Sequence, residues 1–201
     1  MGHRGVLFLD ELGEFPARLL NVLRQPIEDG DVTISRRGIS VTFPADIQLV
    51  AATNPCPCGF FGDRLTACVC SPTARQRYVD RIPGPLLDRF DMRVFVRRLN
   101  SDEIDGPPGE ESKLVAERVE AARMVQTDRG ILNRRLGRAA LDDLAWSTGA
   151  TELLKASVEG NRLTARGWDR VRRVARTIAD LHAHAEVDES DVAEALAFRR
   201  A

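Results

Sequence analysis

Short apolar runs separated by an amphipathic stretch predict an α/β arrangement over the first hundred residues. Val6–Leu9 and residues 47–53 are apolar runs too short for amphipathic helices, and such runs are typical of buried parallel strands. Residues 92–96 predict a third strand of this kind. Between the first two strands, Pro16 precedes apolar residues at helical spacing, so we expect a helix that Pro26 ends or kinks.

Two alternating β-rich triplets, 32–34 and 41–43, predict a β-hairpin between the first two strands. The loop that joins them contains a glycine, and Arg36 and Arg37 lie at its tip. A cysteine-rich loop follows the second strand, and a further helix is predicted over residues 74–82. The hairpin therefore presents two guanidinium groups to whatever faces its tip.

The composition changes at residues 100–112, where acidic residues, prolines and glycines form a segment typical of a linker. Beyond it the apolar periodicity is helical throughout, which predicts helices at about 113–128, 138–146, 151–163, 167–184 and 189–199. We therefore expect an α/β domain over residues 1–99, a linker over 100–112 and an all-α domain over 113–201.

The overall charge says nothing about partners, because 29 basic residues nearly balance 30 acidic ones. All but two of the basic residues are arginines, which reflects either genomic base composition or a need to recognise phosphates and carboxylates. A hydrophobic content of 43% is enough for real cores. No apolar run approaches the roughly 20 residues that span a membrane, and no signal peptide precedes the first strand, so we expect a cytoplasmic protein.

The first strand ends in two adjacent carboxylates, Asp10 and Glu11. In phosphoryl transfer one carboxylate at a strand end holds Mg²⁺ through water, and a second orients or deprotonates the attacking water. Asp10 and Glu11 fit these roles in that order, and Asn54 follows the second strand where a sensor of the γ-phosphate would lie. A surface Asp-Glu pair that merely begins a loop is the alternative.

No phosphate-binding loop of the form Gly-x-x-x-x-Gly-Lys-[Ser/Thr] accompanies these carboxylates. The chain has only two lysines, Lys113 and Lys155, and neither follows a glycine. The sequence therefore predicts the second half of an ATPase module, which begins just before its Mg²⁺-binding strand.

All four cysteines fall in one loop, as Cys56-x-Cys58 and Cys68-x-Cys70. Tetrahedral Zn²⁺ takes four thiolates, and two short pairs on a loop with proline and glycine can supply them. The alternatives are reduced thiols without a metal, and redox-active or disulfide-bonded cysteines, the last being rare in the cytosol. With all four positions taken by protein, the zinc would be structural.

The histidines carry no metal prediction, because His182 and His184 lie in the predicted helix 167–184, where positions i and i+2 do not share a face. His3 lies close to the amino terminus. We expect Trp146 and Trp168 to be packing residues of the helical domain and not base-stacking platforms.

Several blocks of the sequence together resemble the magnesium-chelatase-like AAA+ ATPases. They include Asn-Pro-Cys-Pro-Cys-Gly at 54–59 and Gly-Pro-Leu-Leu-Asp-Arg-Phe-Asp at 84–91. The full set of resembling blocks is 3–12, 23–30, 50–59, 84–91, 163–167 and 173–181. The nearest branch is the competence-associated one, whose members look like hexameric DNA branch-migration helicases.

The resemblance implies a role for each matching residue. Asp10 and Glu11 match the Walker B pair, Asn54 the first sensor, and Arg166 the second sensor at the start of a lid helix. Arg89 matches the arginine finger, which would reach the γ-phosphate of a neighbouring subunit; an ion pair with a flanking aspartate is the alternative. Preset guanidinium groups stabilise the charge that develops on the γ-phosphoryl oxygens.

The resemblance also implies a fold and partners. The fold would be α/β, a partial AAA+ parallel sheet with an inserted β-hairpin, followed by an all-α helical lid domain. The cofactors would be ATP and Mg²⁺, and the assembly a hexameric ring. The hairpin matches one that points into the ring pore, where Arg36 and Arg37 could follow a DNA backbone; a solvated turn is the alternative.

Two parts of the family pattern are absent, the Walker A loop and the amino-terminal accessory domain. Without the first, we expect that this chain alone neither binds ATP tightly nor hydrolyses it, and that it is a truncated gene product, a mis-assigned start or a fragment. Two other functions stay open: a non-catalytic assembly or interaction module, and a metal-chelatase motor subunit. The cysteine pairs favour the competence-associated branch over true chelatase subunits.

Overall fold

The computed structural model describes residues 2–160 and 163–199. The chain divides into two compact units, Met1–Phe90 and Asp91–Ala201. The first contains the strands and the cysteine loop, and the second is helical. The predicted helix 151–163 falls in part on residues 161–162, which lie outside the described residues.

A two-stranded parallel sheet forms the base of the first unit. β1 (Val6–Leu9) pairs with β4 (Gln48–Ala51), with Leu9 opposite Ala51. Both strands lie where the apolar runs predicted them. Side chains alternate along the strands, so one face packs on a core while Val6 and Phe8 are exposed on the other. The buried members of that core are Leu12, Leu20, Ile82 and Leu86.

Two short helices, α1 (Ala17–Val22) and α2 (Arg24–Asp29), replace the single predicted helix. The break lies at Leu23, and Pro26 is the third residue of α2. A proline at this position has no N–H to give to the carbonyl of Val22 and its ring would clash there. The chain therefore breaks one turn before the proline, and Gly30, with φ 74°, closes α2.

The predicted hairpin is present and is longer than the triplets indicated, with β2 (Asp31–Arg36) antiparallel to β3 (Ile39–Pro44). Its turn has two residues, Arg37 and Gly38, with φ of 51° and 82°. Positive φ at both positions is the type I′ geometry that follows the natural twist of the strands. Of the two arginines predicted at the tip, Arg36 is therefore a strand residue and Arg37 lies in the turn.

The remaining helices of the first unit are α3 (Pro72–Val79) and α4 (Gly84–Leu87). α3 begins at Ser71, whose hydroxyl accepts from the N–H of Ala74, a typical N-cap. Pro83 is the N-cap of α4, and Pro85 lies in its first turn, where a backbone N–H has no partner within the helix and its absence costs nothing.

The prediction of a strand at 92–96 is wrong, because the segment forms no ladder with any described strand. Its composition suits a strand, but a strand exists only through backbone pairing. Within the described chain the parallel sheet has two strands, β1 and β4, and neither pairs with it. Its apolar side chains are accordingly exposed, with Val96 85% accessible.

The second unit contains six helices within its described residues. They are α5 (Ser101–Ile104), α6 (Ser112–Asp128), α7 (Arg138–Asp142), α8 (Thr148–Glu159), α9 (Ala165–Leu181) and α10 (Glu189–Ala197). Short 3₁₀ turns occur at Leu12–Glu14 and Asn133–Arg135. The core lies between α8, α9 and α10, where Val171, Ala175 and Val192 are fully buried.

The expected linker is not wholly irregular, because α5 occupies one turn of it. Asn100 accepts from the N–H of Glu103, and the Glu103 carboxylate accepts from the N–H of Asn100. This capping box satisfies two donors at once and explains why a helical turn forms in an otherwise acidic, proline-rich segment. None of the described helices is long and apolar enough to cross a membrane.

Helix α9 ends at Leu181, three residues before the predicted end. The N–H of His184 donates to the carbonyl of Ala179, and the N–H of Ala183 to that of Asp180. These two bonds form a Schellman motif, in which the residue after the C-cap adopts a left-handed conformation. Here that residue is Ala183, with φ 57°, where glycine is usual.

We expect Ala183→Gly to stabilise the helical unit by about 0.5–1 kcal/mol, because glycine adopts a left-handed conformation without the steric cost that Cβ imposes. Chemical denaturation followed by tryptophan fluorescence measures the change, since both tryptophans, Trp146 and Trp168, belong to this unit. Ala185→Gly, two residues further on, is the control and should not stabilise. Equal or lower stability of Ala183→Gly would contradict the assignment of strain.

Candidate functional site

The two carboxylates at the end of β1 occupy a sharp turn. Glu11 has φ 50° and ψ 48°, a left-handed conformation that a glutamate rarely adopts. Its N–H donates to Oδ1 of Asp10 at 2.9 Å, and the N–H of Leu12 donates to the carbonyl of Ala52 at 2.8 Å. The second bond fixes the turn to the neighbouring strand. Strain of this kind persists where the surrounding structure enforces it, and such residues cluster at functional sites.

The ends of β1 and β4 lie at the same edge of the sheet, because the strands are parallel and Leu9 faces Ala51. Asp10 follows the first and Asn54 lies three residues beyond the second; Asp10, Glu11 and Asn54 are all exposed. Carboxylate and amide oxygens are ligands that suit Mg²⁺. The Asp10–Glu11 pair and the segment that leads to Asn54 therefore leave the sheet at the same edge, and all three side chains are open to solvent.

Gly13, in the turn that follows Glu11, packs closely against Tyr78 and Thr53. A Cβ placed on Gly13 would lie 3.2 Å from Cζ of Tyr78 and 3.4 Å from Oγ1 of Thr53. A side chain at this position would require the tyrosine ring or the strand end to move by a few tenths of an ångström. Gly13 is therefore part of what holds Glu11 in place.

Arg89 does not project into solvent as the finger assignment would require. It is 7% exposed, and its Nη2 lies 2.6 Å from Oε1 of Glu28 while Nη1 donates to the carbonyl of Pro85. Its Nε makes no hydrogen bond within the described residues. The expected alternative, an ion pair, is thus present, but with Glu28 and not with a flanking aspartate. Sequence reasoning missed Glu28, since 61 residues separate the partners and no local pattern links them.

Arg166 lies in the first turn of α9 and is exposed. The helix begins at Thr164, whose hydroxyl accepts from the N–H of Gly167 at 3.0 Å. This N-cap fixes the position of Arg166 within its own unit.

The hairpin has one hydroxyl-rich face and one apolar face. Thr33 pairs with Thr42 and Ser35 with Ser40 through side-chain hydrogen bonds of 2.9 and 2.8 Å. On the other face Arg36 stands opposite Ile39, so its guanidinium adjoins an exposed apolar stripe. Arg36 and Arg37 are both exposed.

The four cysteines converge on one point. Cys56 Sγ lies 3.4 Å from Cys58 Sγ and 3.7 Å from Cys68 Sγ, and the Cys58–Cys68 separation is also 3.7 Å. Cys70 completes the group, with all four sulfur atoms within 4.8 Å of one another. A tetrahedron with Zn–S bonds of about 2.3 Å has edges of about 3.8 Å. The three separations among Cys56, Cys58 and Cys68 therefore lie close to the edges of a Cys₄ zinc tetrahedron.

The electrostatics of the cluster also favour a cation. The backbone N–H of Phe60 lowers the pKa of Cys58 to about 6, so this thiol ionises readily. Burial raises the pKa of Cys70 to about 11, since a second thiolate in the cluster would be poorly solvated and repelled. A divalent ion removes this conflict because it stabilises every thiolate at once.

Comparisons with known proteins cover almost the whole chain. Residues 1–104 match the family described as magnesium chelatase, subunit ChlI, and residues 109–199 match the ChlI carboxy-terminal family. The chain is 39% identical to the competence protein ComM of Haemophilus influenzae over 97% of its length. It is 37% identical to an uncharacterised protein of Mycobacterium tuberculosis over 98%, and to the uncharacterised protein YifB of Escherichia coli over 99%. It spans about two fifths of the length of each of these relatives.

Proposed function

The chain belongs to the magnesium chelatase ChlI family of AAA+ proteins, and on that premise we propose that it supplies the hydrolytic and sensing half of a Mg²⁺-dependent ATPase. The observation that carries the proposal is the strained Asp10–Glu11 turn at the sheet edge that Asn54 shares. The carboxyl ends of adjacent parallel strands are where such sheets bind ligands, which supports this assignment.

The roles follow from the chemistry of phosphoryl transfer. ATP would supply the phosphoryl group that is transferred, and Mg²⁺ the positive charge that neutralises the phosphate oxygens. Asp10 would hold Mg²⁺ through water, Glu11 would orient and deprotonate the attacking water, and Asn54 would contact the γ-phosphate. These residues suit that task because they are exposed, oxygen-rich and fixed by the turn at Gly13.

Two arginines are proposed to act on the nucleotide, Arg89 as an arginine finger and Arg166 as the second sensor. Arg89 would act on the nucleotide of a neighbouring copy in a hexameric ring, once its guanidinium exchanges Glu28 for a phosphate. Arg166 would contact the γ-phosphate from the first turn of α9. A non-catalytic assembly module is the second candidate, because the Glu28 pair keeps Arg89 buried in the free chain.

A chimera tests the hydrolytic role directly. In it, this chain replaces the matching segment of Haemophilus influenzae ComM, about two fifths of that protein, and the rest of the relative completes the polypeptide. The proposal requires Mg²⁺-dependent ATP hydrolysis by the chimera to depend on Glu11. Hydrolysis independent of Glu11 would favour the assembly module.

We propose DNA as the substrate on which the ring acts, with the hairpin as the contact. Replacing both hairpin arginines by alanine in the purified chain is expected to weaken binding to duplex DNA, because Arg36 and Arg37 lose their phosphate contacts. Each phosphate contact contributes about 0.9 to the slope of log K against log salt, so the slope should fall by about two. Fluorescence anisotropy at several salt concentrations measures both quantities.

The control variant, Arg18→Ala/Arg77→Ala, also removes two positive charges, but from the exposed surfaces of α1 and α3 instead of the hairpin. This variant should bind DNA as the unaltered chain does. Equal affinity and an equal salt slope in the hairpin variant would reject the hairpin as the DNA contact.

We propose that Cys56, Cys58, Cys68 and Cys70 hold a structural Zn²⁺. We also propose that the protein resides in the cytoplasm, where reducing conditions keep cysteines from forming disulfides. After dialysis against metal-free reducing buffer, the chain should retain about one zinc per molecule, since four thiolates bind it tightly. Cys56→Ser/Cys58→Ser should retain about one equivalent less than the unaltered chain. Elemental analysis measures both, and less than about half an equivalent in the unaltered chain would contradict the zinc assignment.

A further inference from the structure

A second group of metal-ligating side chains lies in the helical unit, far along the sequence from the cysteines. His182 Nδ1 lies 3.4 Å from Oδ1 of Asp191, and His184 Nδ1 lies 3.1 Å from Oδ2 of the same carboxylate. One donor atom from each of the three residues falls within 4.8 Å of the other two. Oδ2 of Asp188 is 3.6 Å from His184 Nδ1 and offers a fourth donor atom nearby.

The backbone conformation explains why the sequence pattern did not predict a cluster of these three side chains. On a continuous helix His182 and His184 would point apart, but α9 ends at Leu181 and Ala183 has φ 57°. The left-handed residue between them turns both imidazoles toward the start of α10, with ring centroids 5.3 Å apart. Asp191 lies in the first turn of α10 and meets them there. No metal was predicted at these histidines because the helix was expected to continue to residue 184, whereas α9 ends at Leu181.

The carboxylate at the centre of the group is buried. The Asp191 side chain is wholly inaccessible, and besides the two imidazoles its one hydrogen-bond donor within the described residues is the N–H of Asp188. A buried carboxylate is costly unless a cation lies beside it. The imidazoles, in contrast, are accessible at 51% and 36% of their surface, so an ion can reach them from solvent.

The spacing of the donor atoms fits a small divalent ion. Zinc bonds to imidazole nitrogen and carboxylate oxygen are about 2.0–2.2 Å, which places tetrahedral ligand atoms about 3.4 Å apart. His184 Nδ1 is 3.1 Å from Oδ2 and His182 Nδ1 is 3.4 Å from Oδ1, so each imidazole lies at about this separation from a different oxygen of the same carboxylate. Two imidazoles and one carboxylate form a recurrent ligand set that leaves further positions for water.

We propose that His182, His184 and Asp191 bind a divalent transition-metal ion, with Zn²⁺ or an ion of similar ligand preference as the occupant. The ion joins the end of α9 to the beginning of α10, two helices that already share the core of this unit. The site is separate from the cysteine cluster and from the carboxylates of β1, and it stands whether or not the proposed ATPase function does.

The competing arrangement is a pair of hydrogen bonds from the imidazoles to Asp191 with no ion. Zinc stoichiometry of the complete chain distinguishes the two. Under saturating Zn²⁺, His182→Gln/His184→Gln should bind about one equivalent fewer than the unaltered chain. Both proteins carry the same cysteine cluster, so the difference counts the histidine site alone. His3→Gln alters the one remaining histidine and should bind as much as the unaltered chain.

A second measurement keeps the test independent of folding. Zn²⁺ should raise the midpoint of thermal unfolding of the helical unit, followed by tryptophan fluorescence, in the unaltered and His3→Gln chains but not in the double variant. The tryptophan signal before heating shows that the double variant is folded. Equal stoichiometry in all three chains, or the same thermal shift in the double variant, would overturn the proposal.

Discussion

Asp180→Asn is expected to destabilise the helical unit by about 3–5 kcal/mol, a large part of the stability of a unit this size. The Asp180 side chain is fully buried and accepts from Arg129 Nη2 at 2.6 Å, Arg176 Nε at 3.0 Å and Asn133 Nδ2 at 2.7 Å. The amide keeps the shape but removes the charge. The Arg176 side chain, 3% exposed, would then remain buried and cationic without its carboxylate.

Denaturation followed by tryptophan fluorescence measures the loss in this unit alone, since both tryptophans belong to it. Glu117→Gln is the matched control, because Glu117 pairs with Lys113 at 4.0 Å on the open surface of α6. Exposed pairs contribute little, so this change should cost less than about 0.5 kcal/mol. If Asp180→Asn cost no more than the control, the buried network would not hold α6, α9 and the intervening turn together.

Local patterns were sufficient where one short segment determines the structure. The apolar run before Asp10 predicted β1, and alternation around a glycine predicted the hairpin, whose register then follows from the Arg37–Gly38 turn. Clustering of every cysteine in one loop predicted that their side chains converge. In each case the residues that determine the feature are neighbours in sequence.

Features that depend on distant partners could not be predicted in this way. Residues 92–96 have a strand's composition but no described strand beside them, and composition cannot provide the ladder. The pairing of Arg89 with Glu28 depends on how α2 and α4 pack. The His182–His184 group depends on a helix end set by an alanine in a conformation that glycine usually adopts, so no breaker residue marks it.

The carboxylate turn on β1 is the feature on which the functional account depends. A glutamate in a left-handed conformation costs free energy, and the bond from Leu12 to Ala52 holds the turn that imposes it. Such strain persists chiefly where it positions a group that acts. Water activation is the role that this position and chemistry favour. The prediction concerns hydrolysis more than nucleotide binding, since a water-activating carboxylate is needed only for the chemical step.

Hydrolysis by the chimera with the Haemophilus influenzae relative is the most direct measurement of that role. We expect Mg²⁺-dependent ATP hydrolysis that Glu11→Gln lowers by about 100-fold or more, with ATP binding retained, since a positioned base contributes at least this much. Glu14→Gln, three residues along and paired with Arg81 at the surface, should leave the rate unaltered. A Glu11→Gln chimera that hydrolyses ATP at the unaltered rate would contradict the account.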